Sequence, residues 1–316
     1  MAFAFVFPGQ GSQSIGMLAS LADTTPVRAT FDEATAILGY DLWKLIEEGP
    51  ESQLGTTEYT QPVMLAAGVA MWRLWRERGG AQPVAMAGHS LGEFTALVCA
   101  HALDFETTLE LVQFRGQAMQ QAMPAGSGAM AAIIGLEEAA LEDACREAAQ
   151  GSVVEAVNFN APGQVVIAGE SAAVQRAIEA AKARGAKRAI ALPVSVPSHS
   201  SLMRGAGQRL ADKLAAIEIR PPVIQYVSAV DAAPHLDPED IRQLLARQLA
   251  SPVRWTDTVK ALAAMGIQQL IECGPGKVLT GLNRRIERSG AVQSLAMDDP
   301  ETIDAALAAT RSSADV

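Results

Sequence analysis

Apolar residues in this chain fall into short blocks separated by glycine, proline and charged stretches, and the blocks switch between strand-like and helix-like spacing. Residues 2–7 form a fully apolar run, the pattern of a parallel strand buried on both faces. Pro8-Gly9-Gln10-Gly11-Ser12-Gln13 ends it, and a loop at the carboxyl end of a first strand is where open α/β sheets place function. The spacing predicts helices over 27–38, 42–46 and 61–78, the last beginning near Pro62 and stopping at Gly79-Gly80. A strand is predicted at 83–87, and a helix carrying Arg115 at 105–123.

The segment 84–100 stands out. An apolar run stops at Gly88, then His89-Ser90-Leu91-Gly92-Glu93 leads into an apolar helical stretch. Gly-x-Ser-x-Gly between a strand and a helix is the pattern of a nucleophile turn. The glycines relieve crowding where the backbone doubles back. The turn holds a serine hydroxyl clear of the sheet, and the helix start offers free N–H groups to an oxyanion.

Pro124-Ala125-Gly126-Ser127-Gly128 marks a break. Beyond it, strands at 129–135, 153–158, 164–168 and 188–194 alternate with helices at 137–149 and 172–184. The order β-α-β-β-α-β is the ferredoxin-like arrangement. It predicts a small domain, 126–196, inserted into a larger α/β domain made of 1–125 and 197–316. The large domain then continues with strands at 223–228, 267–272 and 291–296. Helices are predicted at 202–217, 238–249, 254–265, 277–288 and 302–309, and residues 312–316 are expected to fray. Strands alternating with helices on both sides of the insertion predict a parallel sheet.

Composition narrows the function classes. The 316 residues carry a formal net charge of −10, which argues against nucleic acid as the main partner. The longest apolar stretch, 63–72, is too short to span a bilayer, and residues 1–7 fit a first strand rather than a signal peptide. Cys99, Cys145 and Cys273 are odd in number, lack metal-ligand spacing and lie in apolar contexts. Buried free thiols and a cytoplasmic protein are expected.

A serine nucleophile needs a base. Of four histidines, His89 neighbours the serine on a turn that sends the two side chains apart, and suits a structural role there. His101 sits at a helix end, and His235 in an exposed Pro- and Asp-rich loop. His199, in Pro197-Ser198-His199-Ser200, is the best base candidate because the insertion returns it over the large sheet. An α/β-hydrolase places its histidine near the C-terminus and uses a His-Gly-Gly-Gly oxyanion loop. This chain has neither.

A different family fits. The chain resembles malonyl-CoA–acyl carrier protein transacylases of fatty acid synthesis, relatives of polyketide acyltransferase domains, over nearly its whole length. The resemblance rests on Phe7-Pro8-Gly9-Gln10-Gly11-Ser12-Gln13, Gly88-His89-Ser90-Leu91-Gly92-Glu93, Phe114-Arg115-Gly116, Asn158-Phe159-Asn160-Ala161-Pro162-Gly163-Gln164, Pro197-Ser198-His199-Ser200, Gln248 and Gly274-Pro275-Gly276-Lys277.

It implies a hydrolase-like parallel-sheet domain with an inserted ferredoxin-like domain. It implies Ser90 as nucleophile and His199 as base, the latter oriented by main-chain carbonyls rather than by a carboxylate. The N–H groups of Gln10 and Leu91 are expected to form the oxyanion hole. Arg115 is expected to grip the malonyl carboxylate as a guanidinium fork, its apolar neighbours Leu111, Val112, Phe114, Ala118 and Met119 turning it inward. Gln248 and Asn160 are expected at the substrate. No metal or other cofactor is implied; malonyl-CoA and the phosphopantetheine-bearing acyl carrier protein are substrates, and a monomer suffices.

The carrier protein of this pathway is acidic, so the basic cluster Lys277, Arg284, Arg285 and Arg288, or Lys187-Arg188, is a candidate surface for it. Two alternatives stay open from the residues alone: a serine hydrolase or thioesterase on a related scaffold, and a silent carrier-binding module.

Overall fold

The computed structural model describes residues 1–310, so the expected fraying of 312–316 lies outside the described residues. The described residues contain the strands β1 (Phe3–Phe7), β2 (Ala85–Gly88), β3 (Gly128–Ile134), β4 (Val154–Ala161), β5 (Gln164–Glu170), β6 (Arg188–Ala191), β7 (Gln225–Val227), β8 (Pro234–His235), β9 (Gln269–Cys273) and β10 (Gln293–Met297). They form a six-stranded sheet, β10-β9-β1-β2-β7-β8, and a four-stranded sheet, β4-β5-β3-β6.

The apolar run of β1 explains its central place. Phe3, Phe5 and Phe7 face one side, where Phe5 meets the rings of Trp72 and Trp75 edge-on at 5.6 and 5.1 Å. Ala4 and Val6 face the other side, in a cluster with Trp255, Val259 and Leu262. A strand buried on both faces has no polar side, hence the unbroken apolar sequence. β1 pairs parallel with β2 and β9, β9 with β10, and β2 with β7. In this six-stranded sheet, among the described residues, only β8 runs antiparallel, in a short hairpin with β7 that hydrophobic spacing over two residues does not signal. The hairpin half-buries His235, expected to be exposed, and sets its Nε2 3.1 Å from Asp231.

The helix Thr57–Glu77 begins a turn before Pro62 rather than at it. Burial of Thr57, Thr60 and Gln61 accompanies the extra turn and offsets the one main-chain bond the proline lacks. The helix bearing Arg115 is Phe105–Gln120, started by Asp104, whose side chain accepts from the Thr107 N–H at 3.2 Å.

The four-stranded sheet is antiparallel throughout, and Ile133, Val165 and Ile167 bury one face against Leu141, Cys145 and Ile178 of the helices Glu138–Ala149 and Ser171–Ala183. This is the ferredoxin-like arrangement. Its edge strand β4 reaches the other sheet's connections. The Val253 N–H donates to the Val157 carbonyl at 2.8 Å, and the Phe159 N–H to the Val253 carbonyl at 2.9 Å. No helix among the described residues is long and apolar enough to cross a membrane.

Candidate active site

Between β2 and the helix Gly92–Cys99, the chain turns at His89, Ser90 and Leu91. Ser90 takes a left-handed φ of 53°, a strained conformation for a side-chain-bearing residue that persists only where its surroundings hold it. Gly88 is required by close approach: a Cβ there would stand 1.9 Å from the carbonyl carbon of Gly92. The turn is tied to β1 by the His89 N–H, which donates to the Phe7 carbonyl at 3.0 Å. His89 itself reaches Asn160 of β4, with Nε2 2.8 Å from Oδ1.

The histidine arrives from the far side of the chain. His199 lies before the short 3-10 turn Ser201–Met203 and is buried, 4% exposed. Glu155 of β4 accepts hydrogen bonds from both the N–H and the hydroxyl of Ser201, each at 2.7 Å, and so fastens this loop to the smaller sheet. The Nε2 of His199 is 2.7 Å from Ser90 Oγ. Its Nδ1 faces the carbonyl oxygens of Gln248 and Ser251 at 3.0 and 3.2 Å. Carbonyls only accept, so Nδ1 carries the ring hydrogen and Nε2 presents a lone pair to the serine. Burial, reinforced by the charge of Arg115, pulls this histidine down to about 3, so the ring is neutral.

Arg115 is 1% exposed. Nη1 donates to Gln61 Oε1 at 2.8 Å, and Nη2 donates to Gln248 Oε1 at 2.8 Å and to Ser90 Oγ at 3.1 Å. Its Nε has no partner. Burial lowers the guanidinium to about 9 while the charge of Glu93 opposes the shift, so it stays charged at neutral pH. Gln248, 1% exposed, donates through Nε2 to the Ser90 carbonyl at 3.0 Å and to Glu93 Oε1 at 2.8 Å. Ser90 Oγ thus accepts from Arg115 and donates to His199, the polarity a nucleophile requires.

The loop after β1 packs on the turn. A Cβ at Gly9 would stand 2.5 Å from the His89 carbonyl oxygen and 3.7 Å from the Leu91 nitrogen, so glycine lets this loop close on the turn just ahead of the Gly92–Cys99 helix. The Gln10 side chain donates to Thr57 Oγ1 at 3.3 Å. A cleft of about 860 Å³ opens here, lined by Gln10, Ser90 and Arg115 on one side and Met130, Asn158 and Val194 on the other.

Residues 4–299 match the family described as acyl transferase domain. The chain belongs to the acyl transferase family. The acyltransferase is 54% identical over 306 residues to the malonyl CoA-acyl carrier protein transacylase of Escherichia coli K12, covering 96% of this chain and 98% of that one. It superposes on an acyl carrier protein S-malonyltransferase from Vibrio cholerae with a TM-score of 0.93 at 54% identity, covering 96% of this chain and 99% of the other. A malonyl-transacylase solved in complex with a holo acyl-carrier protein of a type II polyketide synthase superposes with a TM-score of 0.96. That pair shares 52% identity and covers 98% of this chain and all of the other.

In this acyltransferase the fold gathers Ser90, His199, Arg115 and Gln248 at one point and lays Gln10 and Leu91 beside them. Asn160 is turned to His89 instead, and it is Asn158 that lines the cleft. Gln61 and Glu93 are additions that no reading of the sequence singles out. Both are buried polar residues in apolar helices, a signal in principle, because buried polar side chains need partners. Of the basic cluster, Lys277 pairs with Asp298 at 3.2 Å, Arg284 donates to the Ser294 carbonyl, and Arg285 to Gln164. Lys187 and Arg188 are exposed.

Proposed function

We propose that this protein moves the malonyl group from malonyl-CoA to the phosphopantetheine thiol of an acyl carrier protein, in fatty acid synthesis, through a malonyl-Ser90 intermediate. The observation that carries this is a buried guanidinium 3.1 Å from a serine hydroxyl that also faces a neutral histidine. An acyl group with a free carboxylate is the ligand that such a cation recognises.

Ser90 Oγ attacks the thioester carbonyl as its proton passes to His199 Nε2. The carbonyl oxygen becomes an oxyanion facing the N–H groups of Gln10 and Leu91, donors of a kind worth about 3 kcal/mol each. Collapse breaks the carbon–sulfur bond, and His199 returns the proton to the departing CoA sulfur. The carrier thiol then repeats the sequence in reverse: His199 takes its proton, its sulfur attacks the acyl-serine, and Ser90 leaves with the proton restored. While the ring is positive, the carbonyls of Gln248 and Ser251 face its Nδ1–H, which supports a base without a carboxylate partner. Arg115 holds the malonyl carboxylate, Gln248 holds Arg115, and Asn160 steadies the serine turn through His89.

Groups of the protein itself account for each step, so the proposed reaction calls on no metal or other cofactor, and we propose a cytoplasmic monomer. We read the chain as two units, 1–125 with 197–316, and 126–196. The four-stranded sheet, spanning Gly128 to Ala191, falls inside the second. The cleft between the two sheets supports exclusion of water from the acyl-serine.

Malonyl-CoA is incubated with enzyme, with and without holo carrier protein. With carrier, malonyl appears on its thiol. Without it, CoA is released in a single burst. Sustained release of malonate without an acceptor would make the protein a hydrolase and overturn the proposal.

A further inference from the structure

Behind the serine and the arginine lies a carboxylate with no part in the steps above. Glu93 is 1% exposed, the second residue of the Gly92–Cys99 helix, and its N–H donates to the Ser90 carbonyl at 3.1 Å. Its Oε2 accepts from the Tyr226 hydroxyl, from the Ser228 hydroxyl at 2.8 Å and from the Ala229 N–H at 3.2 Å. Its Oε1 accepts from Gln248 Nε2 at 2.8 Å. Gln248 then presents its other end, Oε1, to Arg115.

We infer that Glu93 is a positioning residue that sets malonyl selectivity by fixing which way the Gln248 amide points. The inference deepens the malonyl-transfer reading and rests on it. An amide has a donor end and an acceptor end of nearly the same shape. Here the donor end meets two acceptors, the Glu93 carboxylate and the Ser90 carbonyl, and the acceptor end meets a guanidinium that can only donate. Reversing the amide would set NH₂ against the guanidinium and oxygen against the carboxylate. Glu93 therefore holds Gln248 in the one sense that keeps Arg115 aimed at Ser90. It also supplies the negative charge that a guanidinium in this interior lacks until a malonyl carboxylate arrives.

Glu93→Gln tests this with nearly unchanged shape. Tyr226, Ser228 and Ala229 all donate toward Oε2, so the new amide places its oxygen there and turns its NH₂ toward the NH₂ of Gln248. Relief requires Gln248 to flip, which misdirects Arg115. Malonyl transfer and acetyl transfer are measured on the same preparation, with the thermal unfolding midpoint recorded. The ratio of malonyl to acetyl kcat/KM is expected to fall about tenfold or more, because only malonyl presents a carboxylate to the arginine. A ratio equal to that of the unsubstituted protein overturns the inference, however much both activities drop, since a merely structural role lowers them together. If Glu93→Gln does not fold, Glu93→Asp draws the carboxylate back from Gln248, and a smaller fall in the same ratio is expected; an unchanged ratio again overturns it. Should the unsubstituted protein transfer no malonyl at all, the function proposal fails first and this inference with it.

Discussion

His199 points its Nδ1 at the main-chain carbonyl of Gln248, 3.0 Å away, while the side chain of the same glutamine holds Arg115 at 2.8 Å. One residue thus sets both the tautomer of the proposed base and the aim of the proposed clamp. The helix Pro238–Gln248 ends on it, so a single helix terminus fixes two catalytic parts relative to each other.

The pH dependence follows from the histidine's surroundings. Burial and the Arg115 charge pull His199 from its ordinary value near 6.5 to about 3, so acidification to pH 5 leaves the lone pair on Nε2 available. The rate of Ser90 acylation, measured by stopped flow between pH 5 and 8, is expected to show no loss centred near 6.5. An acid limb at 6 to 7 would mean that the ring is more solvated than this. The sign for stability is set by the same shift. The unfolded chain binds this proton below about 6.5 and the folded chain does not, so His199 withdraws stability as pH falls through that range.

Arg115→Ala removes the proposed clamp. Malonyl kcat/KM is expected to fall on the order of a hundredfold or more, as for loss of one partner of a buried charged pair, and acetyl transfer is expected to fall much less. Steady-state kinetics with the two CoA esters decide it; equal losses would remove the carboxylate grip.

Gly9→Ala examines the oxyanion loop. The added methyl would press on the His89 carbonyl oxygen at 2.5 Å and push the Gln10 N–H away from the serine. A fall in kcat of about a hundredfold with a smaller change in KM is expected, comparable to the loss of one oxyanion donor. A matching rise in KM alone would assign the loop to substrate binding.

How far the sequence reaches depends on how far apart the determinants lie. The serine turn is legible because Gly88, Ser90, Gly92 and the flanking strand and helix are neighbours in the chain. The order of the inserted unit is legible because its strands alternate with amphipathic helices, and the sheet order β4-β5-β3-β6 agrees with it. Arg115 is legible as an inward arginine from its apolar neighbours. The joining of Gln61, Arg115, Gln248 and Glu93 into one network is not legible, because its members come from four helices far apart in the chain. The start of the helix at Thr57 is hidden because local proline chemistry points to Pro62, and only tertiary burial overrules it. The contact of Asn160 with His89 is hidden because it joins the two sheets.

The acyl-serine itself is the most direct test. Intact-mass spectrometry after brief mixing with malonyl-CoA, without carrier protein, is run on the unsubstituted protein and on Ser90→Ala, followed by peptide mapping. The expected result is one malonyl group per chain, located on Ser90, absent from Ser90→Ala and discharged on adding holo carrier protein. Malonyl on another residue, or carrier malonylation by Ser90→Ala at an undiminished rate, would contradict it.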